Sequence, residues 1–248
     1  MDISRHQEEI LLNQSYLDRK PILHRIYHEF HRLIATRLSR LDRPLVVELG
    51  SGIGNIKEVI PDCLRTDLFP NPWLDQVENA YQLSFGNEQV SDLVLFDVFH
   101  HLHYPGTALR EFHRVLRPGG RVLIFDPCIS GLGALVYGPF HPEPVAYFAP
   151  IRWEAPPGWS ATQTDYYAAQ GNATRIFFGR ERSLLPAEWR VMRRERFAAI
   201  AYAASGGYSK PQLYPDSLYP ILMAIEPALN LLPGLFSTRL LVVLEKTA

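Results

Sequence analysis

The segment Leu45-Val46-Val47-Glu48-Leu49, followed directly by Gly50-Ser51-Gly52-Ile53-Gly54, constrains the fold of this chain more than any other. A short apolar run of this kind suits a strand buried on both faces. Three glycines in five residues then permit a turn that side chains would resist, and they let the backbone approach a ligand closely. Residues 55–60 read as a helix start, whose first N–H groups lack intrahelical partners and can face a polar ligand. Strand, tight turn and helix together open a βαβ unit, in which parallel strands are joined by right-handed crossovers.

The same rhythm continues along the chain. Ahead of the first strand, Ile22, Ile26, Phe30, Leu33, Ile34 and Leu38 recur at helical spacing and predict an amphipathic helix over 17–41, with 1–43 as an N-terminal helical lid. Strands are expected at 63–67, 81–85, 92–96 and 121–125, with a helix at 107–116 and a turn at 117–120. Two terminal strands, at 189–202 and 238–245, flank a helix at 217–232. The expected fold is a single α/β domain, 1–248, built on a doubly wound, mostly parallel seven-stranded sheet. Between the fifth and sixth strands the pattern lapses into Gly, Pro and aromatic residues, among them Tyr137, Phe140, Tyr147, Phe148, Trp153 and Trp159. Segments 128–188 and 203–237 are therefore read as variable insertions, either capping a substrate or packing on their own aromatics.

Composition excludes several classes. Of 248 residues 47% are apolar, enough for a full core, and 25 Lys and Arg nearly balance 26 Asp and Glu. That balance gives no net positive field for a nucleic-acid partner. Cys63 and Cys128 stand far apart without metal-ligand spacing, so reduced thiols are expected, with neither a disulfide framework nor a metal. The N-terminus has no basic start and apolar run, which predicts a cytoplasmic protein. The apolar stretch 218–244 is broken by Pro220, Glu226, Pro227, Pro233, Gly234 and Arg239, so it is expected to join the core rather than span a membrane.

The glycine spacing is GxGxG. In a dinucleotide fingerprint the third glycine would fall where Asn55 stands. The segment from Val46 to Asn55 instead resembles motif I of the class I S-adenosylmethionine (SAM)-dependent methyltransferases, and further segments follow in the family's order. Asp67 stands where that family places the carboxylate that takes the ribose hydroxyls. Residues 79–85, Asn-Ala-Tyr-Gln-Leu-Ser-Phe, are similar to its adenine-side segment, with Asn79 in place of the usual Asp. Residues 91–102 and 116–121 are similar to its fourth-strand segment and to its turn before the fifth strand, in the ubiquinone-biosynthesis-like, "type 11" branch. The resemblance covers about a third of the chain. It implies a Rossmann-like methyltransferase fold with 44–127 as the SAM-binding core, and SAM as cofactor with S-adenosylhomocysteine as product. The implied cofactor residues are Glu48, Gly50, Ser51, Gly52, Asn55, Asp67, Leu68, Asn79, Ala80, Asp97 and Val98.

His100 and His101 follow the fourth strand at the carboxyl edge, where open α/β sheets bind ligands. They are the candidates for acid/base work, His101 ahead of His100, although the resemblance also places this segment in the pocket wall, the favoured reading; Tyr137 and His141 are weaker candidates within the insertion. The expected activity is methyl transfer from SAM to an oxygen or nitrogen of a small-molecule or lipid-like acceptor. A non-catalytic SAM-binding or partner-binding module stands as the alternative. A nicotinamide-dependent oxidoreductase is disfavoured by Asn55. Nothing in the sequence fixes an oligomeric state.

Overall fold

The computed structural model describes residues 3–139, 143–164 and 167–247. Two helices lead, α1 (Ile3–Arg19) and α2 (Pro21–Ala35), where the sequence predicts one. Pro21 explains the break: it cannot continue a helix but suits the first turn of the next. Then come β1 (Val46–Leu49), a 3₁₀ turn (Asn55–Glu58), β2 (Leu64–Asp67), β3 (Gln76–Val77), β4 (Val90–Phe96), a second 3₁₀ turn (Phe99–His101), α3 (Pro105–Val115) and β5 (Leu116–Pro127). The remainder comprises α4 (Gly131–Tyr137), α5 (Asn172–Phe178), β6 (Trp189–Phe197), α6 (Ile200–Ser205), α7 (Tyr219–Leu229), α8 (Pro233–Phe236) and β7 (Arg239–Lys246).

The seven strands form one sheet in the order β3-β2-β1-β4-β5-β7-β6. β1 to β5 run parallel, while β7 inserts antiparallel between β5 and β6. Successive strand residues point to opposite faces, and both faces are covered. Val47, Leu49, Leu93, Leu95, Val122, Ile124 and Val242 pack with Leu109 and Phe112 of α3 and Ile176 and Phe177 of α5. Val46, Val94, Phe96, Leu123, Phe125, Leu241 and Val243 pack on the other face with Leu23, Tyr27 and Ile34 of α2 and with Ile56. The doubly wound architecture is thus the one expected.

Several elements depart from expectation. The third strand is Gln76–Val77 rather than 81–85, which is held as a loop by Tyr81 N–H donating to Asn79 Oδ1 and Leu83 N–H donating to Glu111 Oε1. The expected turn at 117–120 is absorbed into β5 as a register shift against β4, with Gly119 in the left-handed region. The sixth strand stops at Phe197, because Ala199, also left-handed, turns the chain into α6. Within the apolar C-terminal stretch, β7 is core, but α7 and its flanks leave Leu218, Ile221, Ile225, Leu231 and Leu232 exposed. No helix among the described residues is long and apolar enough to cross a membrane.

Lys20, at the break between α1 and α2, ties the N-terminal pair to the body. Its buried ammonium donates to the carbonyls of Ser205, Gly207 and Lys210 at 3.0, 2.6 and 2.5 Å, neutralising the C-terminal end of α6. Lys20→Ala should lower stability by about 1.5–3 kcal/mol, the range for hydrogen bonds to a charged group. Hydrogen exchange should locate the loss at residues 200–210; protection unchanged there would contradict this role for Lys20.

Candidate functional site

The glycine turn after β1 is built by β2. Ser51 N–H donates to the Thr66 carbonyl at 2.8 Å, and the Thr66 hydroxyl donates to the Glu48 carbonyl at 2.8 Å. Asp67, at the end of β2, accepts from Gly52 N–H at 3.1 Å and from Leu68 N–H at 2.7 Å. Gly50, Gly52 and Gly54 all have positive φ, for which glycine is the natural residue. Space differs among them: a Cβ on Gly50 would lie 2.4 Å from Val98 Cγ2, whereas a Cβ on Gly52 would meet nothing within 4 Å. The backbone at Gly52 is therefore the open side of the turn.

Glu48 lies beneath this loop, 3% exposed, and its Oε2 has no hydrogen-bond partner among the described residues. Burial pushes its carboxyl up to about 8, partly opposed by the Ser51 hydroxyl. A buried acceptor beside an open glycine backbone, with an Asp at the end of the next strand, fits a ligand that brings both an amino group and vicinal hydroxyls.

Asn79 and Ala80 lie where the insertion meets this edge. The Asn79 amide donates to the Ala161 carbonyl at 2.9 Å and to the Thr164 hydroxyl at 3.2 Å, so its side chain also anchors the insertion. Trp159 packs edge-on against Tyr81 and Tyr104. Trp153 lies over α3, where a Cβ on Gly106 would fall 2.4 Å from its indole Nε1.

Asp97, at the end of β4 with φ +57, is ion-paired with Arg239 through both guanidinium NH groups. Arg239 is 1% exposed, and its guanidinium carbon lies 4.2 Å from the Tyr202 ring centre, with Phe96 and Phe125 also beneath it. Tyr27, Phe30 and Tyr208 complete an aromatic shell over this end of the sheet. Sequence reading placed Asp97 here but missed Arg239. The signal was available: one Arg heads the otherwise apolar run Leu240 to Leu244, and a charge there needs a buried partner.

His100 and His101 occupy the 3₁₀ turn after β4. His100 is buried, with Nδ1 2.9 Å from Asp126 Oδ1 and Nε2 3.3 Å from Glu143 Oε2. Burial works against its charge, but the two carboxylates outweigh burial and raise it to about 10. His101 holds the Tyr167 carbonyl with Nδ1 at 2.8 Å and brings Nε2 to 3.5 Å from Glu143 Oε1. Burial and the neighbouring His100 charge lower it to about 4. Tyr137 donates to the Thr238 carbonyl at 2.9 Å. Phe140 and His141 lie outside the described residues. Asp126, Glu143 and Gln170, which surround the histidine pair, were missed in sequence because three separate segments deliver them.

Residues 48–124, from β1 into β5, match the family model of a methyltransferase domain. No curated protein matches the chain. Among solved structures it is similar to a chain of the complex between the Haloferax volcanii Trm112 methyltransferase activator and a methyltransferase, at 16% identity and TM-score 0.55, covering 95% of this chain and 94% of that one. It is also similar to a SAM-dependent methyltransferase of Thermotoga maritima, at 12% identity and TM-score 0.53, covering 98% and 99%. A third likeness is to geranyl diphosphate C-methyltransferase from Streptomyces coelicolor, at 10% identity and TM-score 0.56, covering 90% and 80%. At these identities the solved structures speak for the fold. The fold and the match over residues 48–124 together support a SAM-dependent methyltransferase. More particularly, the matched residues contain the glycine turn, Asp67 and the histidine pair.

Two outcomes follow from the glycine turn. Gly50→Ala should cost about 2–4 kcal/mol, adding a left-handed alanine to a clash with Val98, whereas Gly52→Ala should cost only about 1 kcal/mol; urea midpoints of the two variants check the order. Glu48 makes the second. Between pH 4.5 and about 8 the folded protein holds a proton on Glu48 that the unfolded chain has released. Its contribution to stability therefore falls as pH rises through that window and is level on either side. Glu48→Gln should remove this slope, gaining on the wild type by up to about 1.4 kcal/mol per pH unit between pH 5 and 8. Parallel urea-stability profiles for the two proteins would refute the assignment.

Proposed function

We propose that this protein transfers the methyl group of SAM to an oxygen or nitrogen atom of a small-molecule or lipid-like acceptor. The observation that carries the reading is the joint placement of the open Gly52 backbone, the Glu48 carboxyl, whose Oε2 has no hydrogen-bond partner among the described residues, and Asp67 at one end of β1 and β2. In this reading Glu48, Gly50, Ser51, Gly52 and Asn55 hold the amino-acid portion. Asp67 and Leu68 hold the ribose, Asn79 and Ala80 border the adenine, and Asp97 and Val98 close the floor.

SAM supplies an electrophilic methyl group on a sulfonium, so the protein's share of the chemistry is largely positioning. The aromatic shell of Tyr27, Phe96, Tyr202 and Tyr208 excludes water beside that position and offers apolar surface to an acceptor. The N-terminal helices, residues 1–43, form its lid, and the insertions at 128–188 and 203–237 face the acceptor. Where the acceptor must lose a proton, His101 is the base, its Nδ1 hydrogen committed to the Tyr167 carbonyl and its Nε2 on the Glu143 side. His100, held protonated by Asp126 and Glu143, supports it electrostatically.

Calorimetric titration with SAM, S-adenosylhomocysteine and NADH tests the reading. Micromolar binding of both adenosyl ligands is expected, at least ten-fold weaker in Asp67→Ala and in the still-folded Gly52→Ala, with no binding of NADH. Failure of the wild type to bind either adenosyl ligand would overturn the function. Tight SAM binding without methyl transfer to any of a broad acceptor panel would favour a non-catalytic module.

A further inference from the structure

Beside the glycine turn lies a second cluster with its own chemistry. The donor atoms of His100, His101 and Glu143 all lie within 4.8 Å of one another, and the two Nε2 atoms stand 3.3 and 3.5 Å from the Glu143 oxygens. Those separations exceed the roughly 2.7–2.9 Å of a charge-assisted hydrogen bond. They match the roughly 3.3 Å between neighbouring donors around a tetrahedral ion with bonds of about 2.0–2.1 Å.

The hydrogens point the same way. Asp126 Oδ1 and the Tyr167 carbonyl can only accept, so the Nδ1 of each histidine carries a hydrogen. Both Nε2 atoms then face the Glu143 carboxylate, a place that either the His100 imidazolium proton or a bound cation can fill. With His100 protonated, a second proton on His101 would set two imidazolium rings with centres 4.1 Å apart. A single divalent cation between Nε2, Nε2 and the carboxylate would displace the His100 Nε2 proton and engage all three donors at once.

The surroundings have the form that supports metal-bound histidines. One imidazole is oriented by a buried carboxylate and the other by a backbone carbonyl, while Gln170 Nε2 donates to Glu143 Oε2 at 2.6 Å. Asp126 is fully buried, and its Oδ2 has no hydrogen-bond partner among the described residues. Without a cation His100 alone would face two carboxylates, so the pocket favours added positive charge.

We propose that His100, His101 and Glu143 form a binding site for Zn²⁺, with Asp126, the Tyr167 carbonyl and Gln170 as its outer supports. Two nitrogens and one carboxylate suit zinc, and three protein ligands leave a fourth position for an oxygen donor. This departs from the expectation of no metal, which rested on cysteine spacing alone. It is independent of the methyl-transfer reading, except that His101 serves as a base only when the ion is absent.

The test uses the full chain, free of any affinity tag and stripped with a chelator. Zn²⁺ is titrated against a chromogenic chelator, and Co²⁺ is titrated while following its visible absorption. One Zn²⁺ per chain is expected, with affinity at least ten-fold weaker in His101→Ala and in Glu143→Gln and roughly ten-fold weaker in the outer Asp126→Asn. Co²⁺ should give a tetrahedral ligand-field band that both ligand variants lose. Circular dichroism identifies any variant that fails to fold, and His101→Ala and Glu143→Gln, at less buried positions than His100, each suffice alone. No Zn²⁺ binding by the wild type, or binding unchanged in either folded ligand variant, would overturn the proposal.

Discussion

Covering the central sheet on both faces is the constraint from which the rest of this structure follows. β1, β4, β5 and β7 have helices above and below, so a charged side chain on them must find its partner within the protein or sit at a strand end. Asp92, fully buried, is met by the amide and hydroxyl of Ser39 at 2.6 and 2.7 Å. Arg239 is met by Asp97, and His100 by Asp126. Except for Asp92, these groups collect at the carboxyl edge of the parallel strands. The same edge receives the glycine turn, because parallel pairing sends every crossover out from that end.

Two environments share that edge and differ in kind. Around Gly52 and Asp67 the recognition elements are backbone amides and carboxylates, fixed by bonds between β1 and β2. Around Arg239 they are aromatic rings closing over one buried ion pair. The histidine pair lies between, on the turn that leaves β4, and is joined to the insertion through Glu143 and the Tyr167 carbonyl. Groups from the regular core and from the irregular insertion thus meet on a single 3₁₀ turn.

How far the sequence revealed this depends on what each feature needs. The first, fourth and fifth strands declare themselves because they carry apolar runs, and burial on two faces leaves nothing else for such runs to do, while the polar second strand, Leu-Arg-Thr-Asp, is placed by its position between them and the Pro-rich turn that follows. The third strand is two residues long and half-exposed, too short to carry a pattern. The glycine turn and Asp67 were legible as local chemistry at fixed spacing. Asp126 and Glu143 were not, since their meaning comes from partners more than 15 residues away in sequence, and for Arg239 the sequence shows a buried charge without naming its partner. The exposed apolar side chains of α7 show the opposite limit, in that hydrophobicity marked a helix without saying which side of it would be covered.

The contact between Gly106 and Trp153 has a consequence for how such a chain can diverge. The indole occupies the space a side chain at 106 would need, and the Gly106 amide donates to the Trp153 carbonyl at 2.8 Å. Neither position can drift alone: a larger residue at 106 expels the tryptophan, and a smaller one at 153 leaves a hollow over α3. Relatives that keep this insertion should therefore exchange the two residues together, and the pair would serve as a marker of its inheritance.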